Sequence, residues 1–195
     1  FMEILEIKDL EILAKKRVPK MFFDYVNSGS WTETTYNENV SDFQKIKLRQ
    51  RVAIDMSNRT LETKMINQPV SMPVAIAPTG LTGMQRADGE ILAAQAAEEF
   101  GIPYTLSTMS VCSIEAVAAK TTKPFWFQLY VMKDKKFMER LIDRAKEAKC
   151  SALVLTLDLQ LLGQRHKDLR NGLSTPPKLI PKHIYQVLTR PMWCL

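Results

Sequence analysis

Apolar runs along this chain keep ending in polar residues. Pro73-Val74-Ala75-Ile76-Ala77-Pro78 ends at Thr79, and Tyr104-Thr105-Leu106 ends at Ser107. Phe125-Trp126-Phe127-Gln128-Leu129-Tyr130 carries its polar groups at Gln128 and Tyr130. Ala152-Leu153-Val154-Leu155-Thr156-Leu157-Asp158 carries them at Thr156 and Asp158. Short apolar runs bounded by turn residues predict buried strands. Between them the period changes to that of a helix. Ile91, Leu92, Ala96 and Phe100 recur at helical spacing before Gly101, as do Phe137, Leu141, Ile142, Ala145 and Ala148. Asp88, Ser113 and Asp134 are the predicted N-caps and Gly101 the predicted C-terminal stop. The predicted strands start roughly 20 to 30 residues apart, the spacing of right-handed strand-helix-strand units. Buried strands with polar C-terminal ends and helices behind them describe the mouth of a parallel β/α barrel, where such folds build their sites.

Upstream, residues 8–28 read as helices, with Leu10, Leu13 and Ala14 on one face. Pro19 opens a second helix, which Ser28-Gly29-Ser30 stops. A further helix is expected near Phe43. Residues 46–72 read as short β pieces around a polar turn at Asn58-Arg59-Thr60. After Asp158 the pattern breaks. Residues 159–182 read as a long loop and His183 to Leu188 as a short helix.

A closed barrel needs eight strand-helix units and roughly 250 residues, whereas this chain has 195 residues and about four units. The expectation is therefore an α/β fold forming an incomplete N-terminal portion of a barrel. It divides into a helical and short-strand segment (1–72), the first β/α units (73–158) and a truncated loop (159–195). A complete four-stranded open sheet is the alternative, and it leaves two unpaired edges.

Composition narrows the partners. The net charge is +6, but the densest clusters, Lys15-Lys16-Arg17 and Lys133 to Lys136, sit among acidic residues or on a helix face. They read as solvated surface rather than a nucleic-acid stripe, with an anionic ligand or membrane surface as the other reading. Three cysteines, far apart and in no metal-binding spacing, read as buried thiols in a reducing compartment. No metal site is expected. The charged start does not read as a signal peptide, and no apolar run is long enough to span a bilayer. The expected location is cytoplasmic.

Several stretches together resemble the FMN-dependent 2-hydroxy acid dehydrogenases, the family of flavin L-lactate dehydrogenases and glycolate oxidases. They are Pro19 to Gly29, Ile76-Ala77-Pro78-Thr79-Gly80, Thr105-Leu106-Ser107-Thr108, Trp126 to Tyr130, Leu155-Thr156-Leu157-Asp158 and Gly163-Gln164-Arg165. Leu81-Thr82-Gly83-Met84 and Met109-Ser110-Val111-Cys112 are most similar to its bacterial, membrane-associated L-lactate dehydrogenase branch. The resemblance implies a TIM barrel and bound FMN. It implies that Gln128, Ser107 and Thr156 meet the pyrimidine edge of the flavin, and that the backbone of Ala77, Pro78 and Thr79 lies near N5. It further implies that Tyr25 and Arg165 hold the substrate carboxylate. Tyr130 would then assist at the substrate hydroxyl, and Asp158 would pair with a catalytic histidine.

Each of these has a plain structural reading too. Gln128 could be a satisfied core amide, Ser107 and Thr156 local hydroxyl caps, Tyr25 and Tyr130 amphipathic core residues, and Asp158 and Arg165 loop charges. The family's base histidine, in a His-Gly-x-Arg motif, is absent from this chain, and His166 and His183 are assigned no catalytic role. The implied reaction is oxidation of an L-2-hydroxy acid, most simply L-lactate to pyruvate. Electrons would pass to a quinone or cytochrome, and the isolated chain is expected to be inactive. The alternatives are a glycolate-type oxidase using oxygen and a non-catalytic half-barrel binding module. The same resemblance implies a homo-oligomer when full length and peripheral attachment at the inner face of the plasma membrane, through residues 183–195.

Overall fold

The structure, a computed structural model, describes residues 3–174, 178 and 180–194. In chain order the elements are α1 (Ile7–Arg17), α2 (Lys20–Val26), α3 (Thr34–Ser41), β1 (Thr63–Met65), β2 (Gln68–Val70), α4 (Gly89–Phe100) and β3 (Thr105–Leu106). They continue with α5 (Ile114–Ala118), β4 (Trp126–Tyr130), α6 (Lys135–Glu147), β5 (Ala152–Thr156), α7 (His166–Asn171), α8 (Pro181–Leu188) and α9 (Pro191–Cys194). The chain divides into two compact units, Phe1–Ile54 with Leu162–Leu195, and Asp55–Leu161.

The Asp55–Leu161 unit contains the β/α repeat. β3, β4 and β5 form a parallel sheet in that order, with Leu106 opposite Phe127 and Gln128 opposite Val154. The first predicted strand is reduced to a single parallel bridge between Ile76 and Tyr104. Pro73 and Pro78 flank this run, and proline has no N–H for a ladder. Side chains alternate across the sheet. One face carries Leu106, Phe127 and Leu129, which bury against α4, α5 and α6 through Ala94, Ala97, Ile114, Val117, Leu141 and Ala145. The other face carries Gln128 and Thr156. Leu153 and Leu155 follow Phe127 and Leu129 in register, yet both are half exposed, because no described helix covers β5 there. β1 and β2 form an antiparallel hairpin, tied to β4 by the Trp126 indole N–H donating to Gln68 Oε1 at 3.3 Å.

The capping residues behave unevenly. Ser113 Oγ accepts from the Ala116 N–H and Asp134 Oδ1 from the Phe137 N–H, as the spacing predicts. Gly101 ends α4 at φ +79°, a conformation that suits glycine. Asp88 precedes α4 with φ +57° and makes no side-chain cap.

In the other unit, α2 buries Met21, Phe22 and Phe23, and Phe22 stacks on Trp193 at 5.4 Å. His183 is 1% exposed. Its ring nitrogens lie 2.8 Å from the Lys178 carbonyl oxygen and 2.7 Å from that of Asn171, a structural role. Asn171 Nδ2 donates to Asp24 Oδ2 at 2.7 Å, so α2, α7 and the start of α8 share one polar network. α7 breaks the loop expected over 159–182; residues 175–177 and 179 of that stretch lie outside the described residues. Cys112 and Cys150 are partly buried and Cys194 is exposed, which corrects the expectation of three buried thiols. No helix among the described residues is long and apolar enough to cross a membrane.

Candidate functional site

The strand ends of the β/α unit bring three of the expected cofactor residues into one row. Ser107 follows β3 and is 1% exposed, and Gln128 in β4 is also 1% exposed. Thr156 ends β5 and is partly buried. The Gln128 carboxamide spans them. Its Oε1 accepts from the Thr108 N–H at 3.2 Å and from Ser107 Oγ at 3.3 Å, and its Nε2 donates to Thr156 Oγ1 at 2.8 Å. A backbone N–H can only donate, so Thr108 fixes which end of the amide is oxygen. Thr108 Oγ1 also donates to the Gln128 carbonyl at 2.5 Å. Sequence reasoning singled out Gln128 but missed Thr108, whose one signal was its place beside Ser107 after a predicted strand.

Ala77, Pro78 and Thr79 run on from the Ile76 bridge at the same end of the sheet. Ala77 and Thr79 are exposed and Pro78 is half buried. Thr82 Oγ1 donates to the Thr79 carbonyl at 3.1 Å, turning the chain into a short 3-10 helix over Thr82–Met84. Tyr130 ends β4 with a partly buried side chain, and Asp158 is exposed just past β5.

Glu90 was not anticipated. It is 0% exposed in the first turn of α4. Its Oε1 accepts from the Gly83 N–H at 3.0 Å and the Val111 N–H at 2.9 Å. Burial favours its neutral form, but hydrogen bonds from the Val111 and Gly83 N–H groups, with the Cys112 thiol and its own N–H, together outweigh burial and hold the carboxyl below its ordinary range. Beside it, burial and the Glu90 carboxylate push the Cys112 thiol up to about 11. The sequence signal was an acidic residue at a helix N-terminus, which does not reveal burial.

In the other unit, Tyr25 and Arg165 come together. The Arg165 guanidinium lies 4.8 Å from the Tyr25 ring centroid, donates from Nη2 to the Tyr25 carbonyl, and reaches Ser28 Oγ at 3.0 Å. Its Nε donates to Asp168 Oδ2 at 2.6 Å, so the planar fork is fixed from two sides. Gly163 admits this turn, since a Cβ there would collide with Ser30.

Residues 14–195 match the family model of FMN-dependent dehydrogenases. The chain belongs to the FMN-dependent dehydrogenase family. It is 47% identical over 185 residues to an L-lactate dehydrogenase of Acinetobacter baumannii, covering 95% of this chain and 48% of that protein. It is 45% identical over 192 residues to one from Acinetobacter baylyi, covering 98% of this chain and 50% of that one. Among solved structures it superposes on the monotopic membrane protein (S)-mandelate dehydrogenase with TM-score 0.92 and 33% identity, over 99% of this chain and 52% of that one. The chain thus spans about half the length of the relatives it matches, and its parallel sheet with flanking helices is part of their barrel fold.

The polar row fits the cofactor of this family. The pyrimidine edge of a flavin alternates carbonyl oxygens with an N–H, and Ser107, Gln128 and Thr156 present donors and acceptors side by side on buried or half-buried strand ends. The exposed, small Ala77 leaves the neighbouring backbone open to a flat ring.

Proposed function

We propose that this chain is the N-terminal half of an FMN-dependent L-2-hydroxy acid dehydrogenase whose substrate is L-lactate. The observation that carries this reading is the Ser107–Gln128–Thr156 row, a buried amide oriented by a backbone N–H at the strand ends of a partial barrel. When bound, FMN supplies an acceptor for the hydride equivalent of the alcohol carbon. Gln128, Ser107 and Thr156 hold its pyrimidine edge, and the Ala77-Pro78-Thr79 backbone backs the reactive side of the ring. Tyr25 and Arg165 bind the substrate carboxylate, an anion suited to the Nη1 donors of a guanidinium whose Nε and Nη2 are already held by Asp168, the Tyr25 carbonyl and Ser28. Tyr130 donates a hydrogen bond at the substrate hydroxyl. Asp158 orients and charge-stabilises the histidine that takes the hydroxyl proton, and that histidine comes from polypeptide beyond this chain. The similarity to L-lactate dehydrogenases supports this substrate over glycolate. The test is the full-length gene product loaded with FMN and mixed anaerobically with L-lactate. Bleaching of the oxidised flavin band is expected; no bleaching with any short L-2-hydroxy acid would overturn the reading.

A membrane-surface location is part of the proposal. α8 and α9 expose Ile184 (50%), Tyr185 (70%), Leu188 (74%) and Met192 (66%), and Lys182 and Arg190 lie beside them in sequence. Apolar residues flanked by cations suit an anionic bilayer surface. Flotation with anionic liposomes is expected to depend on residues 183–195, and equal flotation without them would remove this part.

A further inference from the structure

We propose that Glu90 is a positioning residue that clasps the two loops at the ends of the first two barrel strands, residues 79–84 and 107–112, into the arrangement that receives the flavin. This inference rests on the flavin reading above. One carboxylate oxygen accepts an N–H from each loop, from Gly83 at 3.0 Å and from Val111 at 2.9 Å. The loops are also joined directly, by the Leu81 N–H donating to the Met109 carbonyl at 2.9 Å. The first loop carries Thr79 and the second begins at Ser107, so both expected flavin contacts hang from this clasp.

The packing leaves no slack. A Cβ on Gly83 would meet Val111 Cβ at 2.7 Å and Glu90 Oε2 at 3.0 Å, and one on Gly89 would meet the Thr82 carbonyl at 2.7 Å. Gly83 and Gly89 are therefore small because the loop is drawn onto the start of α4 by the residue that follows Gly89. A carboxylate is costly to bury. Fully buried and reaching into two different loops, Glu90 makes sense as a device that fixes the distance between them. Its hydrogen bonds run to the loops, and it acts through them.

The experiment compares the unaltered full-length protein with its Glu90→Leu, Glu90→Gln and Leu141→Ala variants. FMN affinity is read by quenching of flavin fluorescence, and amide exchange at Gly83 and Val111 by NMR. Leu141 is a buried core residue of α6, so Leu141→Ala controls for a general loss of stability. Glu90→Leu is expected to weaken FMN at least about tenfold and to speed exchange of both amides at least about tenfold. Glu90→Gln keeps a carbonyl oxygen for both N–H groups and is expected to restore both readouts to within about threefold. Leu141→Ala is expected to lower the melting temperature with FMN affinity unchanged. If Glu90→Leu does not fold, Gly83→Ala, which wedges the same clasp, is expected to give the same weakening. Unchanged amide protection in Glu90→Leu, or equal loss of FMN affinity in Leu141→Ala, would overturn the proposal. Failure of the unaltered protein to bind FMN would instead sink the flavin reading, and the amide exchange would still decide the clasp.

Discussion

Gln128 Nε2 donates to Thr156 Oγ1 at 2.8 Å across two adjacent parallel strands, although the Cα partner of Gln128 is Val154 and that of Thr156 is Tyr130. The amide therefore leans along the strand toward the C-terminal end of the sheet, where the loops begin. Replacing Thr156 with Val removes the acceptor while nearly keeping the shape. A buried amide donor left without a partner costs about 1–3 kcal/mol. Urea denaturation of Thr156→Val is expected to show a lower midpoint with the slope unchanged. A midpoint equal to that of the unaltered chain would mean the hydroxyl is not a fixed partner of Gln128.

The core behind this row is held by few large side chains. Phe127 is 1% exposed and sits between α4, α5 and α6. Phe127→Ala is expected to destabilise the chain by about 3–5 kcal/mol, through lost burial and the cavity left behind. Leu157, 69% exposed, provides the contrast, because its truncation is expected to change stability by less than about 0.5 kcal/mol. Thermal denaturation of the two variants separates them.

Arg144 and Glu115 link α6 to α5 through two hydrogen bonds, Nε to Oε1 at 2.7 Å and Nη2 to Oε2 at 2.8 Å. This pairing lowers the Glu115 carboxyl from 4.5 to about 2. Because the folded value lies below the unfolded one, the contribution is complete above the unfolded value and fades as pH falls through the folded one. Both side chains are largely exposed, at 41% and 56%, so the pair is worth at most about 1 kcal/mol and weakens with salt. Glu115→Gln is expected to lower stability slightly at neutral pH and to match the unaltered chain near the bottom of that window. A difference that persists there would place the effect in packing, not charge.

How much of this was legible in the sequence follows from which contacts are local. The strand ends at Ser107, Gln128 and Thr156 could be read because a short apolar run followed by a polar residue is a local pattern. The same holds for the Ser113 and Asp134 caps and the Gly101 stop. Asp88 failed as a cap: its φ is +57° and its side chain makes no cap bond, at a turn where Gly89 packs closely on the Thr82 carbonyl, a contact between chain segments that spacing does not encode. The run at Val74 to Ala77 read as a full strand, but its ladder is one bridge, since prolines bound it and its pairing depends on β3 alone. Glu90 and Thr108 stayed hidden for a related reason. Their partners, Val111 and Gln128, lie about twenty residues away, and an acidic or hydroxyl residue looks the same in sequence whether buried or solvated.

Arg165 carries the clearest expectation for substrate handling. Its guanidinium donates from Nε to Asp168 and from Nη2 to the Tyr25 carbonyl and Ser28, a fork that a lysine ammonium does not reproduce. In the FMN-loaded full-length enzyme, Arg165→Lys keeps the charge but loses the planar group that these bonds hold in place, and it is expected to raise KM for L-lactate at least about tenfold, the loss of one charge-assisted hydrogen bond of about 1.5–3 kcal/mol. Steady-state kinetics check this, and an unchanged KM would remove Arg165 from carboxylate binding.

The most direct single measurement is an FMN titration of the full-length protein beside its Gln128→Leu variant, followed by flavin fluorescence and circular dichroism. Saturable quenching by the unaltered protein is expected, with affinity at least about tenfold weaker in Gln128→Leu, equivalent to about 1.4 kcal/mol, and both proteins folded. No saturable binding by the unaltered protein, or equal affinity in the two, would contradict the assignment of the Ser107–Gln128–Thr156 row to the flavin edge.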